Sequence, residues 1–136
     1  MKVAFATEDG VHVDAHFGWA KQIDLYDVSP EDCRFVHSVE FGGNLTEDGN
    51  EDKLGPKLDA IADCAILYVA AIGGSGAARV VGKNVHPVKV AETQTIAAIL
   101  QQLQGVLSSN PPPWLRKALN KGRERTLDFE DEAIYG

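Results

Sequence analysis

Two runs of this chain are apolar at nearly every position. They are Val3-Ala4-Phe5-Ala6, within residues 2–7, and the stretch 65–72, and polar or glycine residues follow each of them. A strand with one face in water alternates apolar and polar side chains, so short uninterrupted runs predict strands that are covered on both faces. Strands of this kind lie inside a sheet with helices on either side, which restricts the chain to an α/β layer architecture.

The rest of the sequence supplies the other strands and helices. Residues 22–28 and 34–41 alternate as half-exposed strands do, and Ser29-Pro30-Glu31-Asp32 between them predicts an antiparallel hairpin. A third buried strand is predicted at residues 85–91. Apolar spacing and turn signals predict helices near residues 54–61, 77–83 and 94–108.

The order of these elements predicts the fold. It is strand, hairpin pair, helix, strand, helix, strand, helix, which places parallel crossovers in the second half and the first strand beside the fourth. A chain of 136 residues has the usual size of one domain. We therefore predict a single α/β domain with a ribonuclease-H-like mixed five-stranded sheet and helices on both faces.

Three consecutive prolines mark the end of that domain. Asn110-Pro111-Pro112-Pro113 cannot continue a helix, and it forces an extended segment before a short helix that starts at Trp114. We expect residues 1–110 to form the domain and residues 111–136 to form a C-terminal extension with a mobile, charged tail. The acidic stretch 42–52 is expected to be a solvated loop.

The charge of the chain excludes several classes of function. Its formal net charge is -7, and residues 1–110 carry 8 basic against 15 acidic residues, which is unlike a protein that binds nucleic-acid phosphates. No apolar run approaches the length of a membrane span. Cys33 and Cys64, without CxxC spacing or a signal segment, point to a reducing compartment. We expect a cytoplasmic protein.

The densest polar cluster is the loop that follows the first buried strand, residues 8–19. Loops at the carboxyl ends of such strands are where open α/β sheets bind ligands, and this loop holds His12 and His16, whose neutral imidazoles could ligate a metal. Gly10 and Gly18 argue against a helix here, so a four-ligand structural zinc site is not expected. The alternative is that His16 hydrogen-bonds the loop backbone and orders the turn.

A second glycine-rich segment lies between a strand and a helix. Gly74-Ser75-Gly76 resembles the start of a dinucleotide fingerprint, but Arg79 occupies the third glycine position and the helix that follows is short. Nucleotide binding is therefore a distant third among the functions considered. Free backbone amides at the helix start, together with Arg79, would still favour an anion.

No catalytic set is evident in the sequence. Two-metal nuclease chemistry needs carboxylates on the central strand, and residues 2–7 contain none. No combination of serine, histidine and aspartate suggests a nucleophile either. We expect a binding protein, not an enzyme.

Several motifs together resemble the dinitrogenase iron–molybdenum cofactor biosynthesis family. The resemblance covers nearly the whole chain, and the single-domain length and acidic tail are most like the short members of that family. The motifs are Val3-Ala4-Phe5-Ala6-Thr7, the loop with His16-Phe17-Gly18, Ile72-Gly73-Gly74, Val85-His86-Pro87-Val88-Lys89-Val90 and Asn110-Pro111-Pro112-Pro113-Trp114-Leu115.

The resemblance implies a function and a set of partners. It implies a carrier that binds the iron–sulfur precursor of the nitrogenase iron–molybdenum cofactor, or the finished cofactor, as cargo. It implies partners among the nitrogenase assembly proteins: a NifB-type donor, a NifE/NifN-type scaffold and apo-nitrogenase, with neither nucleic acid nor membrane. It also implies that the histidine of the His-Phe-Gly loop contributes to cluster binding, although Ala15 stands where relatives often have glutamine.

These considerations define a predicted site. His16 is the candidate iron ligand and His12 a weaker one, with Phe17 and Gly18 in the same loop. Phe17 and Trp19 are expected mainly to seat the loop on the core. The amides of Gly74, Ser75 and Gly76, with Arg79, would offset the negative charge of the cargo. The alternative function is an interaction module that holds apo-nitrogenase or another assembly factor through Trp114 and the acidic tail.

Overall fold

The computed structural model describes residues 1–41 and 54–118. The predicted loop at residues 42–52 and the predicted tail beyond residue 118 lie outside these described residues. The strands and helices are β1 (Lys2–Thr7), β2 (Gln22–Val28), β3 (Cys33–Glu40), α1 (Gly55–Ile61), β4 (Ile66–Val69), α2 (Gly74–Gly82), β5 (His86–Lys89) and α3 (Ile96–Ser108). Residues 113–118 are helical and follow the proline segment, as predicted.

The five strands form one mixed sheet in the order β3-β2-β1-β4-β5. β1 is antiparallel to β2 and parallel to β4, so Phe5 lies between Asp24 on one side and Tyr68 on the other. β2 and β3 form the predicted antiparallel hairpin, and β5 runs parallel to β4. The prediction that the first strand lies beside the fourth is confirmed.

Each face of the sheet has its own hydrophobic core. On one face, Ala4 and Ala6 of β1 pack with α1 and α2, and on the other, Val3 and Phe5 pack with α3. Alternate side chains of β1 therefore enter different cores, which is why the run had to be apolar at successive positions. The predicted single α/β domain with helices on both faces is confirmed.

Two strands are buried differently from the prediction. β2 was expected to be half-exposed, yet Asp24, on the face opposite to Ile23 and Leu25, is only 3% exposed. Its carboxylate accepts hydrogen bonds from Gln22 Nε2 at 3.0 Å and from the hydroxyl of Ser38, which satisfies the buried charge. β5 was expected to be buried, but it is the last strand of the sheet and its first and last residues, His86 and Lys89, are exposed.

The helix starts follow from local chemistry. α1 begins at Gly55 with Pro56 in its first turn, where the missing N–H of proline removes no helical hydrogen bond. α3 begins after Thr95, whose Oγ1 accepts the Ala98 N–H at 3.1 Å. α2 begins at Gly74, three residues earlier than predicted, so the glycine segment forms its first turn.

The C-terminal extension contributes to the core. Leu115 is buried in the cluster that α3 forms with β1, and Pro112 O accepts hydrogen bonds from Leu115 N and Arg116 N, both at 3.0 Å. Within the part of the chain that the structure describes, no helix has the length and apolar character needed to cross a membrane.

The α3 core provides a test of the fold. Leu103→Ala should lower the free energy of unfolding by about 2–5 kcal/mol, because it leaves a cavity against the sheet. Val106→Ala, on the exposed side of the same helix, is the matched control and should change it by less than about 0.5 kcal/mol. Urea denaturation of both variants measures the difference, and equal effects would contradict the assigned helix face.

Candidate functional site

The loop after β1 is held in place by backbone pairing at both ends. His12 pairs with Thr95, just before α3, and His16 pairs in parallel with Ala71, just after β4. Phe17 N donates to Ala71 O at 2.9 Å, and Ala70 N donates to Ala15 O at 3.0 Å. The loop therefore lies along the carboxyl end of the sheet, where the sequence predicted a binding site.

His16 has one ring nitrogen engaged and the other available. Its Nδ1 accepts the Gly18 N–H at 3.0 Å and so caps the short 3-10 turn Phe17–Trp19. Among residues 1–41 and 54–118, nothing hydrogen-bonds its Nε2, and the side chain is half-buried rather than sealed. The turn-ordering role and the ligand role were treated as alternatives; in this structure Nδ1 orders the turn, and Nε2 has no hydrogen-bond partner among those residues.

The two aromatic residues of the turn behave differently. Phe17 is completely buried and anchors the turn in the core, as expected. Its side chain therefore cannot reach a surface ligand. Trp19 is 53% exposed, so the expectation that it too packs into the core is wrong. The indole instead lies at the surface, three residues after His16.

The start of α2 lies next to this turn. Gly73 is the N-cap, and no side chain of the described residues caps the helix, so the first-turn amides of Gly74, Ser75 and Gly76 lack a capping acceptor. The Leu54 side chain lies beside both segments. A β-carbon built on Gly18 would lie 4.0 Å from it, and one built on Gly76 would lie 3.5 Å from it. The structure thus brings the histidine turn and the glycine segment together.

Arg79 does not lie at the helix start. It is exposed and belongs to the last turn of α2, five residues beyond Gly74, which is about 7.5 Å along the helix axis. A flexible arginine side chain spans several ångströms, so any contribution to the site would be long-range. Of the predicted residues, Arg79 is the one that the fold places farthest along α2 from the amides.

His12 belongs to a separate polar group with Asp9 and Asp14. One ligand-type atom from each lies within 4.8 Å of the others. His12 Nδ1 lies 2.7 Å from Asp9 Oδ2, while Asp9 Oδ1 accepts the N–H groups of His12 and Val11, both at 2.8 Å. These hydrogen bonds hold the pKa of Asp9 well below its usual range, and the bond from the His12 amide has the largest effect. The group stabilises the turn at Gly10, whose φ is 76°.

Sequence reasoning missed Lys57, which lies directly beneath the histidine turn. It is 0% exposed, and its Nζ donates to Gly18 O at 2.9 Å and lies 5.3 Å from the centre of the Phe41 ring. Burial lowers the pKa of this ammonium, and the charge of Glu8 partly opposes that shift. A signal was present, because Lys57 follows Leu54 by three residues and so lies on the apolar face of α1.

A cavity of about 520 Å³ lies at the opposite end of the sheet. The indole of Trp114, 40% exposed, stacks on the His86 ring with centroids 4.2 Å apart, and Lys117 supplies a positive charge. Ala65, which precedes β4, also lines the cavity. The histidine turn follows the carboxyl end of β1, so the two surfaces are separated by the length of the parallel strands.

Residues 1–105 of the chain match the family described as dinitrogenase iron-molybdenum cofactor. The chain belongs to this family, which confirms the resemblance seen in the motifs and supports a role in nitrogenase cofactor biosynthesis.

Within the family the chain is similar to NifX proteins. Protein NifX of Herbaspirillum seropedicae is 58% identical over 132 residues, which cover 97% of this chain and 90% of that protein. Protein NifX of Azotobacter vinelandii is 41% identical over 123 residues, covering 90% and 77% respectively. The crystal structure of PH0822 has a TM-score of 0.61 and 23% identity, covers 77% of this chain and 89% of that one, and supports the fold alone.

Proposed function

We propose that this protein is a carrier that binds the iron–sulfur precursor of the nitrogenase iron–molybdenum cofactor, or the finished cofactor, and transfers it between assembly proteins. It holds the cluster as cargo and catalyses no reaction on it. The single observation that carries this proposal is the availability of His16 Nε2 beside uncapped helix amides. An imidazole nitrogen can ligate iron, and helix amides favour an anion such as a metal–sulfide cluster.

The hydrogen bond at Nδ1 gives the site a physical basis for release. Because Nδ1 accepts the Gly18 N–H, the neutral ring of the empty protein carries its proton on Nε2. Ligation through Nε2 requires a free lone pair there, so the proton moves to Nδ1 and the Gly18 hydrogen bond breaks. Departure of the cargo restores that bond, which is worth about 1 kcal/mol. One protein ligand and a competing internal hydrogen bond keep binding reversible.

The remaining predicted residues have supporting roles in this proposal. Gly18 and the amides of Gly74, Ser75 and Gly76 surround the cluster with N–H donors, Phe17 fixes the turn, and Arg79 adds long-range positive charge. His12 is engaged with Asp9 and stays a weaker candidate ligand. The partners would be a NifB-type donor, a NifE/NifN-type scaffold and apo-nitrogenase in the cytoplasm. A curated NifY of Azotobacter vinelandii, 35% identical over 129 residues, supports this assembly context.

The ligand role of His16 can be measured directly. His16→Ala should weaken binding of the purified precursor by about tenfold or more in an anaerobic titration, because a metal–nitrogen bond is lost. His37→Ala, which removes an exposed histidine from β3, is the matched control and should bind like the unmodified protein. Undiminished affinity of His16→Ala would remove this residue from the site.

The contribution of Arg79 can be tested by varying the ionic strength. Arg79→Ala should weaken precursor binding more at low salt than at high salt, because the interaction of an exposed charge is screened. Lys83→Ala, which removes an exposed charge beyond the end of α2, should have a smaller effect. Titration at two salt concentrations gives the comparison. A loss that is the same at both would exclude an electrostatic contribution.

The second candidate function is an interaction module for an assembly partner. The observation that favours it is the cavity at Trp114, which combines an exposed indole, a stacked histidine and a lysine. Exposed tryptophans beside apolar pockets are typical anchors of protein interfaces. The two functions are compatible, because the cavity and the histidine turn lie at opposite ends of the sheet.

This surface can be tested without any cluster. Trp114→Ala should weaken capture of apo-nitrogenase by about 2 kcal/mol or more if the indole anchors that partner. Trp19→Ala removes the other exposed indole and is the matched control. Affinity is measured by pull-down and by titration of cluster-free proteins. Equal binding by both variants and the unmodified protein would exclude the Trp114 cavity as the contact.

A further inference from the structure

Lys57 is unusual because a charged side chain is completely buried. Lysine is almost never fully buried unless it is paired, since removing an ammonium from water is costly. Among the described residues, Lys57 Nζ has the Gly18 carbonyl as its hydrogen-bond acceptor at 2.9 Å, and no carboxylate of these residues lies within 4.0 Å of it. The Phe41 ring provides only a weak cation–π contact at 5.3 Å.

The position of this charge relates it to the histidine turn. The carbonyl of Gly18 accepts from Lys57, and the N–H of the same residue donates to His16 Nδ1 at 3.0 Å. One glycine therefore connects the buried cation to the imidazole. When the imidazole releases the Gly18 N–H, the hydrogen bond from Lys57 to the Gly18 carbonyl keeps Gly18 in place. The Gly18 N–H therefore stays at the site.

We propose that Lys57 is a positioning residue for the cargo, and that its buried positive charge makes the site selective for anionic metal–sulfide clusters over simple metal cations. This inference rests on the proposed carrier function of the same site. Lys57 holds Gly18 so that the released N–H donates to a sulfide of the cluster. Its charge attracts the anionic cluster and repels a bare divalent cation that competes for His16, because low local dielectric strengthens both effects.

The opposite sign of these two effects provides the test. The probes are an anionic, thiolate-ligated [4Fe–4S] cluster and Co²⁺, each titrated anaerobically into the full chain. Lys57→Met should bind the cluster about tenfold more weakly and should bind Co²⁺ at His16 as well as, or more tightly than, the unmodified protein. Binding at His16 is taken as the part of the Co²⁺ signal that is lost in His16→Ala.

A purely structural role of Lys57 would change both affinities in the same direction. Weaker binding of both probes, or no change in either, would therefore overturn the inference. Lys57→Arg keeps the charge and should therefore lose less cluster affinity than Lys57→Met. Lys89→Met removes an exposed lysine from β5 and controls for net charge. Thermal unfolding confirms that each variant is folded, and Lys57→Gln replaces Lys57→Met if the latter does not fold.

The result for His16 separates this inference from the carrier proposal. If His16→Ala binds the cluster as well as the unmodified protein, the proposed carrier site is wrong, whatever Lys57 does. If His16→Ala is weakened but Lys57→Met is not, the carrier site stands and the role of Lys57 is wrong. If His16→Ala and Lys57→Met both bind the cluster more weakly, and Lys57→Met retains Co²⁺ binding, the carrier proposal and the role of Lys57 are both supported.

Discussion

The backbone pairing between residues 15–17 and residues 70–71 is the contact on which the candidate site depends. It continues the parallel association of β1 with β4 beyond the ends of both strands, through Ala70 N to Ala15 O and Phe17 N to Ala71 O. Phe17, completely buried, fixes the register of this pairing. Because Ala71 lies only three residues before Gly74, the same contact sets the histidine turn against the start of α2. Neither segment would form this site alone.

Much of the fold followed from the sequence, because its strongest signals depend on neighbours along the chain. The apolar runs located β1 and β4, and helical spacing located α3, since burial on two faces or one face leaves a direct pattern. The burial of Asp24 and Lys57 did not follow, because it depends on which distant element covers each face. The sequence predicted that His16 lies in a loop and that the glycine segment leads into a helix, but only the fold shows that Leu54 lies beside both.

The two ends of the parallel strands have different chemistry. The carboxyl end has an imidazole and helix amides, with a buried cation beneath them, and this combination suits a small anionic ligand. The amino end has an indole stacked on a histidine beside a cavity, which suits a protein surface. In the proposed carrier role the empty protein would meet a donor and the loaded protein an acceptor, and such a division would let partner recognition proceed without covering the cargo.

The parallel pairing of His16 with Ala71 also limits how this loop can vary in length. Side chains alternate between the two sides of an extended segment, so a shift of one residue in this pairing would turn Phe17 outward and His16 into the core. A single-residue insertion or deletion between β1 and His16 must therefore be absorbed ahead of Ala15, and the turn around Gly10 is one place for it. Homologous loops of different length can share the imidazole position only if they differ ahead of that paired segment.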